Sequence, residues 1–186
     1  KYHQEQSILI CCKSLNIPCV ALRYQNVYGP GQSLSNPYTG ILSIFSTRIK
    51  QQKPINIFED GNESRDFVFI DDVIDATIRG IENSAANNKV YNVGTGAAIS
   101  VLHVAQALMK NYAIEVPLEI SGQYRKGDIR HNFADISLIK KDLGFEAKIT
   151  FEDGIQQFCN WVNQQNILTD NYDESLLEMK IKGLMK

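Results

Sequence analysis

Three aspartates that lie close together in the chain, Asp66, Asp71 and Asp72, are the residues whose type could most directly perform acid–base chemistry or bind a metal. Either chemistry needs a partner group, commonly a histidine, and no histidine is near them in the sequence. Asp71 and Asp72 precede Val73, where a helix is predicted to begin, and carboxylates at a helix start satisfy free N–H groups. We therefore interpret these aspartates as structural and expect Asp71 to cap a helix.

The histidines and cysteines also show no pattern typical of a catalytic or metal site. The histidines have no partners at suitable spacing, and the cysteines contain no C-x-x-C pair. These residues are His3, His103, His131, Cys11, Cys12, Cys19 and Cys159. We predict no metal site and no hydrolase triad, and we interpret the cysteines as reduced, buried thiols.

The composition is that of an ordinary globular protein. The 186 residues are 44% hydrophobic and 22% charged, with a net charge of −2 and basic residues scattered along the chain. No basic stripe suits a nucleic-acid backbone, and no apolar run approaches the roughly 18 to 20 residues of a membrane span. No signal peptide pattern opens the sequence. We expect a soluble cytoplasmic protein without nucleic-acid or membrane partners.

The elements that must position any site alternate between helices and short strands, which predicts an α/β fold. Strands are predicted at 19–24, 54–58, 66–70, 90–93 and 117–120, and loops at 26–37 and 122–128. Helices are predicted at 3–15, 38–50, 71–83, 101–112, 136–143, 151–166 and 176–184, and Ser100 is expected to cap the fourth of them.

Four segments, in this order and spacing, resemble a known family. They are 22–31 (LRYQNVYGPG), 61–73 (GNESRDFVFIDDV), 91–96 (YNVGTG) and 125–128 (RKGD), the last followed by Ala134 and Asp135. Together they resemble the second half of the extended short-chain dehydrogenases, the NAD-dependent epimerase/dehydratase family, whose members include nucleotide-sugar 4-epimerases. The resemblance implies the C-terminal part of an extended Rossmann-type short-chain dehydrogenase, with the last sheet strands plus a small mixed α/β substrate-binding domain.

The resemblance also implies a division of the chain. Residues 1–25 would end the NAD-binding Rossmann domain, and 89–98 would be a strand that returns to its sheet. Residues 26–88 and 99–166 would form the substrate-binding domain, and 167–186 a tail. No Gly-rich dinucleotide turn occurs in the sequence, so the first half of the Rossmann domain is expected to lie outside it.

For the cofactor, the resemblance implies NAD and a small group of residues. Lys1 stands where the family has the Lys of its catalytic Tyr-x-x-x-Lys, so the Tyr is expected upstream of this chain. Lys1 would lower the pKa of that Tyr and bind the nicotinamide ribose. Tyr24, Gln25 and Val27 are similar to the stretch that passes the nicotinamide. Because these groups form only part of a site, we expect this chain alone to be inactive.

For the substrate, the resemblance implies a nucleotide-diphosphate sugar, UDP- or dTDP-linked. Arg65 and Arg125 would bind the diphosphate through charge-assisted hydrogen bonds. Asn26, Thr39 and Asp128 complete the expected substrate-binding set. Without the family motifs, Arg65 would be an ion-pair partner of Glu63 or Asp66, Arg125 part of an exposed charged loop, and Asn26 a turn former.

The function implied by the resemblance is that of a UDP- or dTDP-sugar 4-epimerase working through a transient 4-keto sugar. A 4,6-dehydratase or a 4-keto reductase is the alternative within the family. A nucleotide-sugar-binding module without catalysis is the alternative from another class. A homodimer is expected by analogy with the family.

Overall fold

The computed structural model describes residues 1–34, 40–166 and 172–186. The described helices are α1 Tyr2–Ser14, α2 Ile41–Lys50, α3 Ile70–Glu82, α4 Val101–Tyr112, α5 Ser137–Leu143, α6 Phe151–Asn163 and α7 Tyr172–Ile181. The described strands are β1 Val20–Tyr24, β2 Asn26–Tyr28, β3 Ile55–Ile57, β4 Ser64–Arg65, β5 Phe67–Phe69, β6 Lys89–Val93, β7 Ile99–Ser100, β8 Leu118–Ile120 and β9 His131–Asn132. In this part of the chain no helix is both long and apolar enough to cross a membrane.

The chain divides into two compact units, each built from three stretches of sequence. Unit 1 comprises Lys1–Val27, Asp66–Ala97 and Phe133–Ile149. Unit 2 comprises Tyr28–Arg65, Ala98–Asn132 and Thr150–Lys186. Residues 66–88 and 133–149 thus group with residues 1–27, whereas the sequence assigned them to the substrate-binding domain. The functional assignment of the two units stays a prediction.

Unit 1 is built around a parallel pair of strands. β1 pairs with β6 in the register that runs from Val20 opposite Lys89 to Tyr24 opposite Val93. The buried core on this pair includes residues of α3 and α5, among them Val73, Ala76, Ile139 and Leu143. Both strands end at the same edge, and the carboxyl ends of parallel strands are where α/β proteins bind ligands.

Asp66 is the polar centre of unit 1. Its side chain is fully buried, and the carboxylate accepts four hydrogen bonds. The donors are the Thr95 N–H at 2.8 Å, the Thr95 hydroxyl at 2.7 Å, the Gly96 N–H at 2.9 Å and the Ala134 N–H at 3.2 Å. A Cβ atom at Gly94 would collide with Asp66 Oδ2, so glycine is required there for the close approach. Asp66 therefore links the turn after β6 to the segment before α5.

Unit 2 is a helical layer with short strands. α4 packs against α2 and α6, and β3 pairs in parallel with β8. The buried side chains between these elements are apolar and include Leu42, Phe45, Ile49, Ile57, Val104, Leu108, Ile155, Phe158 and Val162. A second small sheet has the order β7–β4–β9. Since Arg65 lies on its central strand, this sheet sets the position of one predicted substrate residue.

The structure confirms most predicted elements and corrects five details. The segment predicted as a loop at 26–37 begins with strand β2, because the Asn26 N–H bonds to the Asp66 carbonyl. The strand predicted at 66–70 is shorter, β5 at Phe67–Phe69, because Ile70 already begins α3; a separate strand, β4, precedes it at Ser64–Arg65. Asp71 does not cap α3: the helix begins one residue earlier, at Ile70 after an extended Phe69.

The two remaining details concern Asp72 and the cysteines. The Asp72 carboxylate accepts the N–H groups of Lys148 at 2.9 Å and Ile149 at 3.1 Å, so it is structural but not a helix cap. The cysteines are free thiols, as expected, but burial was predicted for all four and holds only for Cys159. Cys11 is exposed because it lies on α1, which buries none of its residues.

Candidate functional site

Two arginines of unit 2 meet at one carboxylate. Arg65 comes from β4, and Arg125 from the loop that follows β8. Arg65 Nη2 donates to Asp128 Oδ1 at 2.9 Å, and Arg125 Nη2 donates to Asp128 Oδ2 at 2.6 Å. The structure therefore brings together the three charged residues that the sequence predicted to bind substrate.

The two guanidinium groups are held differently. Arg65 is 18% exposed, and its Nη1 also donates to the carbonyls of Ser64 at 2.8 Å and Arg130 at 3.1 Å. Arg125 is 49% exposed and its guanidinium lies 5.9 Å from the Phe58 ring centroid. Within the described residues, its Nε and Nη1 atoms donate no hydrogen bond. Arg65 is thus fixed by backbone carbonyls, while Arg125 has donors available.

This group carries an excess of one positive charge, because two guanidinium groups share one carboxylate. A planar guanidinium presents paired N–H donors that match the oxygens of a phosphate or carboxylate. The Phe58 ring lies at the outer limit of cation–π distance from Arg125 and can restrict the position of its guanidinium. The arrangement is therefore suited to a small anion with several oxygen atoms, such as a diphosphate.

A third arginine nearby is already neutralised. Arg130 forms ion pairs with Glu59 and, at 2.7 Å, with Asp60. The Asn62 N–H, followed by Arg130, lowers the pKa of the Asp60 carboxyl to about 2. Since two carboxylates are bound to one guanidinium, Arg130 is less suited than Arg65 or Arg125 to bind a further anion.

Glu63 is an acidic residue of unit 2 that the sequence placed only as an alternative partner of Arg65. Its side chain is buried, and within the described chain its Oε2 atom has no hydrogen-bond partner. Burial raises the pKa of the Glu63 carboxyl. The ion pair with Arg65 considered from the sequence is not present; Asp128 is the partner of Arg65 instead.

We expect Glu63→Gln to stabilise the protein at pH 7 by about 1 kcal/mol, because a buried ionised carboxylate with one unpartnered oxygen costs more than a neutral amide. A folded-state pKa above the unfolded one means that ionised Glu63 destabilises the fold as the pH rises through it. The difference between variant and wild type should therefore disappear near pH 4. Urea unfolding at both pH values measures it.

The exposed Glu115 of unit 2 provides the control for this change. Glu115→Gln should leave the free energy of unfolding unchanged within about 0.5 kcal/mol at both pH values. Equal stability of wild type and Glu63→Gln at pH 7 would contradict the energetic cost assigned to the buried Glu63 carboxylate.

The predicted cofactor residues lie in unit 1. Tyr24 ends β1, and its hydroxyl is 2.9 Å from the Thr77 hydroxyl. The Gln25 N–H donates to the Val93 carbonyl at 2.9 Å, while its buried Oε1 has no partner among the described residues. Val27 is exposed on β2, and Lys1 is exposed at the start of α1. The carboxyl end of β1 is thus followed by a buried hydrogen-bond acceptor without a partner in the described part of the chain.

The remaining predicted substrate residues are less informative. Asn26 is half-buried in unit 1, and its backbone N–H donates a hydrogen bond to the Asp66 carbonyl. Thr39 lies outside the described residues.

No group of three or more metal-ligating side chains occurs in residues 1–34, 40–166 and 172–186. The contact between Phe58 and Arg125 is a feature that the sequence analysis did not identify.

Comparison with known proteins identifies the family. Residues 1–94 match the model of the NAD dependent epimerase/dehydratase family. The chain belongs to this family. NAD is the cofactor of the family, and the α/β fold is that of its extended Rossmann-type members.

Several relatives of this family member are nucleotide-sugar epimerases. The dTDP-L-rhamnose 4-epimerase of Burkholderia thailandensis is 38% identical over 165 residues, which are 89% of this chain and 45% of the relative. The UDP-glucose 4-epimerase of Thermotoga maritima, solved with UDP-glucose, is 30% identical with a TM-score of 0.82, covering 88% of this chain and 52% of that one.

A third relative carries both ligands of interest. The UDP-glucuronic acid 4-epimerase of Bacillus cereus, solved with UDP-glucuronic acid and NAD, is 28% identical with a TM-score of 0.73. The alignment covers 83% of this chain and 48% of that structure. The chain therefore spans about half the length of the relatives that it matches.

Proposed function

We propose that this chain is the nucleotide-sugar-binding portion of an NAD-dependent 4-epimerase, and that Arg65 and Arg125 bind the diphosphate. The observation that carries the proposal is the convergence of both guanidinium groups on Asp128, with N–O distances of 2.9 and 2.6 Å. Two cations brought side by side repel each other unless an anion lies between them. Asp128 supplies that anion and orients both side chains.

The proposed ligand is a UDP- or dTDP-linked sugar. A diphosphate carries about two negative charges and several acceptor oxygens, which the free Nε and Nη1 donors of Arg125 can bind. Arg65 contributes a rigid guanidinium, since two backbone carbonyls fix its Nη1. Relatives named as dTDP- and UDP-sugar 4-epimerases support this ligand class.

The cofactor residues complete the proposal. Lys1 and the strand-end residues Tyr24, Gln25 and Val27 would contact NAD, which supplies hydride transfer when it is bound. Gln25 would contribute its unpaired Oε1 as a hydrogen-bond acceptor. Lys1 would hold its positive charge near the tyrosine expected upstream and favour the tyrosinate that removes the sugar hydroxyl proton.

A homodimer is part of the same proposal. α1 buries none of its residues, and its exposed side chains include the apolar Tyr2, Ile8 and Ile10. Exposed apolar residues on one helix are typical of a surface that another protein segment covers. Sedimentation velocity of the whole protein with and without Ile8→Lys measures whether α1 forms the contact between subunits.

The activity is tested on the whole protein that contains this chain. The protein, with NAD bound, is incubated with dTDP-L-rhamnose, UDP-glucose and UDP-glucuronate, and inversion at C4 is followed by proton NMR. Inversion of one of these sugars is the expected result. A 4-keto-6-deoxy product would replace the epimerase by a dehydratase, and binding of nucleotide sugar with no conversion would favour the non-catalytic module.

A further inference from the structure

The loop that carries Arg125, residues 122–128, has little restraint of its own. It contains Gly122 and Gly127 at φ values of +67° and +81°, and no atom lies within 4 Å of the position that a side chain would take at either. Glycines in open space allow many backbone conformations. Asp128 binds the Arg125 side chain, and the loop backbone has two bonds, from the Glu59 N–H to the Gln123 carbonyl at 2.8 Å and from the Asp128 N–H to the Arg125 carbonyl at 3.2 Å. With open glycines at both ends of the loop, a further restraint on the backbone around Arg125 must come from outside it.

That restraint comes from the segment 172–186. The Tyr124 N–H donates to the Lys186 carbonyl at 2.8 Å, and the Lys186 N–H donates to the Tyr124 carbonyl at 3.0 Å. The Lys126 N–H donates to the Leu184 carbonyl at 2.9 Å. Arg125 therefore lies opposite Met185 in an antiparallel bridge, with hydrogen bonds on both sides of it.

The segment is itself anchored to the core of unit 2. Arg48 of α2 is buried, and its Nη1 donates to Asp173 Oδ1 at 2.9 Å while its guanidinium lies 5.0 Å from the Tyr172 ring centroid. Arg48 Nε also donates to the Pro54 carbonyl at 2.6 Å, which fixes the guanidinium. A contact at the start of α7 and a bridge after its end thus connect the helix layer to the 122–128 loop.

We propose that residues 184–186 are positioning residues for the nucleotide site, holding Arg125 beside Arg65 through the backbone bridge. This inference rests on the proposed function, because it assigns the segment a role in diphosphate binding. Binding energy is lost when a binding group must be ordered at the moment of association, and a pre-ordered Arg125 avoids that loss. The segment acts through Arg125 and does not touch the ligand itself.

The test uses the full chain and a deletion of residues 184–186. We expect the deletion to weaken UDP or dTDP binding roughly ten-fold in calorimetric titration, since ordering one loop and one long side chain carries a cost of this size. On an Arg125→Ala background the same deletion should cause no further loss. Trypsin should cleave after Arg125 and Lys126 faster in the deletion variant, as identified by mass spectrometry.

A matched pair of Lys186 variants tests the backbone contact alone. These variants replace the deletion if the deletion disturbs folding. Lys186→Pro removes the N–H donated to Tyr124, whereas Lys186→Ala keeps that bond and removes only the charge. We expect weaker binding and faster loop cleavage for the proline variant, and wild-type behaviour for the alanine variant.

Three other results of these titrations and cleavage assays would each contradict a specific part of the proposal. If Arg125→Ala weakens binding and the deletion changes neither affinity nor cleavage, the positioning role is wrong and the proposed function stands. A loss that adds in full to that of Arg125→Ala would show that the segment acts elsewhere. If the folded wild-type protein binds neither nucleotide, the proposed function fails and the role of the segment in binding fails with it.

Discussion

Replacing Arg65 with alanine is expected to weaken UDP or dTDP binding by roughly 10- to 100-fold, and Arg125→Ala by a similar factor. Each change removes charge-assisted hydrogen bonds of about 1.5 to 3 kcal/mol, and 1.4 kcal/mol corresponds to a tenfold change in affinity. Isothermal titration calorimetry on the folded protein measures both. Comparison of UDP with dTDP in the same titrations identifies the preferred base.

Lysine at the same positions separates charge from geometry. Arg65→Lys and Arg125→Lys keep the positive charge but lose the planar pair of donors, so they should recover only part of the affinity. Full recovery would indicate a general electrostatic attraction in place of a bidentate contact. The effect of the two alanine changes together should be less than the product of the single ones, since both side chains share Asp128.

Arg130 is the matched control because it lies in the same unit but is bound by Glu59 and Asp60. Arg130→Ala keeps the backbone carbonyl that holds Arg65 and should change affinity by no more than about two-fold. A loss equal to that of Arg65→Ala would contradict the specific assignment of Arg65 and Arg125. Thermal unfolding of all variants identifies any that lose affinity because they lose structure.

The second large effect is expected on stability, from Asp66→Asn. The buried carboxylate accepts four hydrogen bonds, three of them from backbone N–H groups of Thr95, Gly96 and Ala134. In either orientation an asparagine NH₂ group faces at least one of these donors, which leaves a buried N–H unpaired. We expect a loss of about 2 to 4 kcal/mol in the free energy of unfolding, measured by urea denaturation.

Asp71→Asn provides the comparison for this change. Asp71 is exposed in the first turn of α3, so the same chemical change should alter the free energy of unfolding by no more than about 0.5 kcal/mol. Gly94→Ala should reproduce the large effect, because its Cβ would collide with Asp66 Oδ2. A stable Asp66→Asn variant would show that the Asp66 interactions are replaceable, for example by water.

Much of the fold could be predicted from the sequence because it depends on local interactions. α4 occupies the predicted residues, and Ser100 caps it by accepting the His103 N–H at 3.1 Å. A helix of this kind follows from its apolar period and from its capping residue, both of which are read within a few positions. The family could be predicted as well, since its motifs are short and occur in a fixed order.

The features that the sequence missed depend on contacts between distant residues. β2 was predicted as a loop because Asn26 and the Gly-Pro pair after it are turn formers, and its strand conformation follows from the bond to the Asp66 carbonyl. Asp66 was grouped with Asp71 and Asp72 by sequence proximity. Its burial follows from Thr95 and Ala134, which no local pattern relates to it.

The sequence by itself determined the family and the alternation of helices and strands, and it predicted Arg65 and Arg125 as the diphosphate ligands, which stays a prediction. Only the tertiary structure decided that Arg65 and Arg125 share Asp128, that Arg130 is neutralised, and that residues 184–186 hold the 122–128 loop. The physical reason is that side-chain type and the spacing of apolar residues can be read from residues close together in the chain. A guanidinium acquires its partners only when the folded chain places distant segments within hydrogen-bond distance.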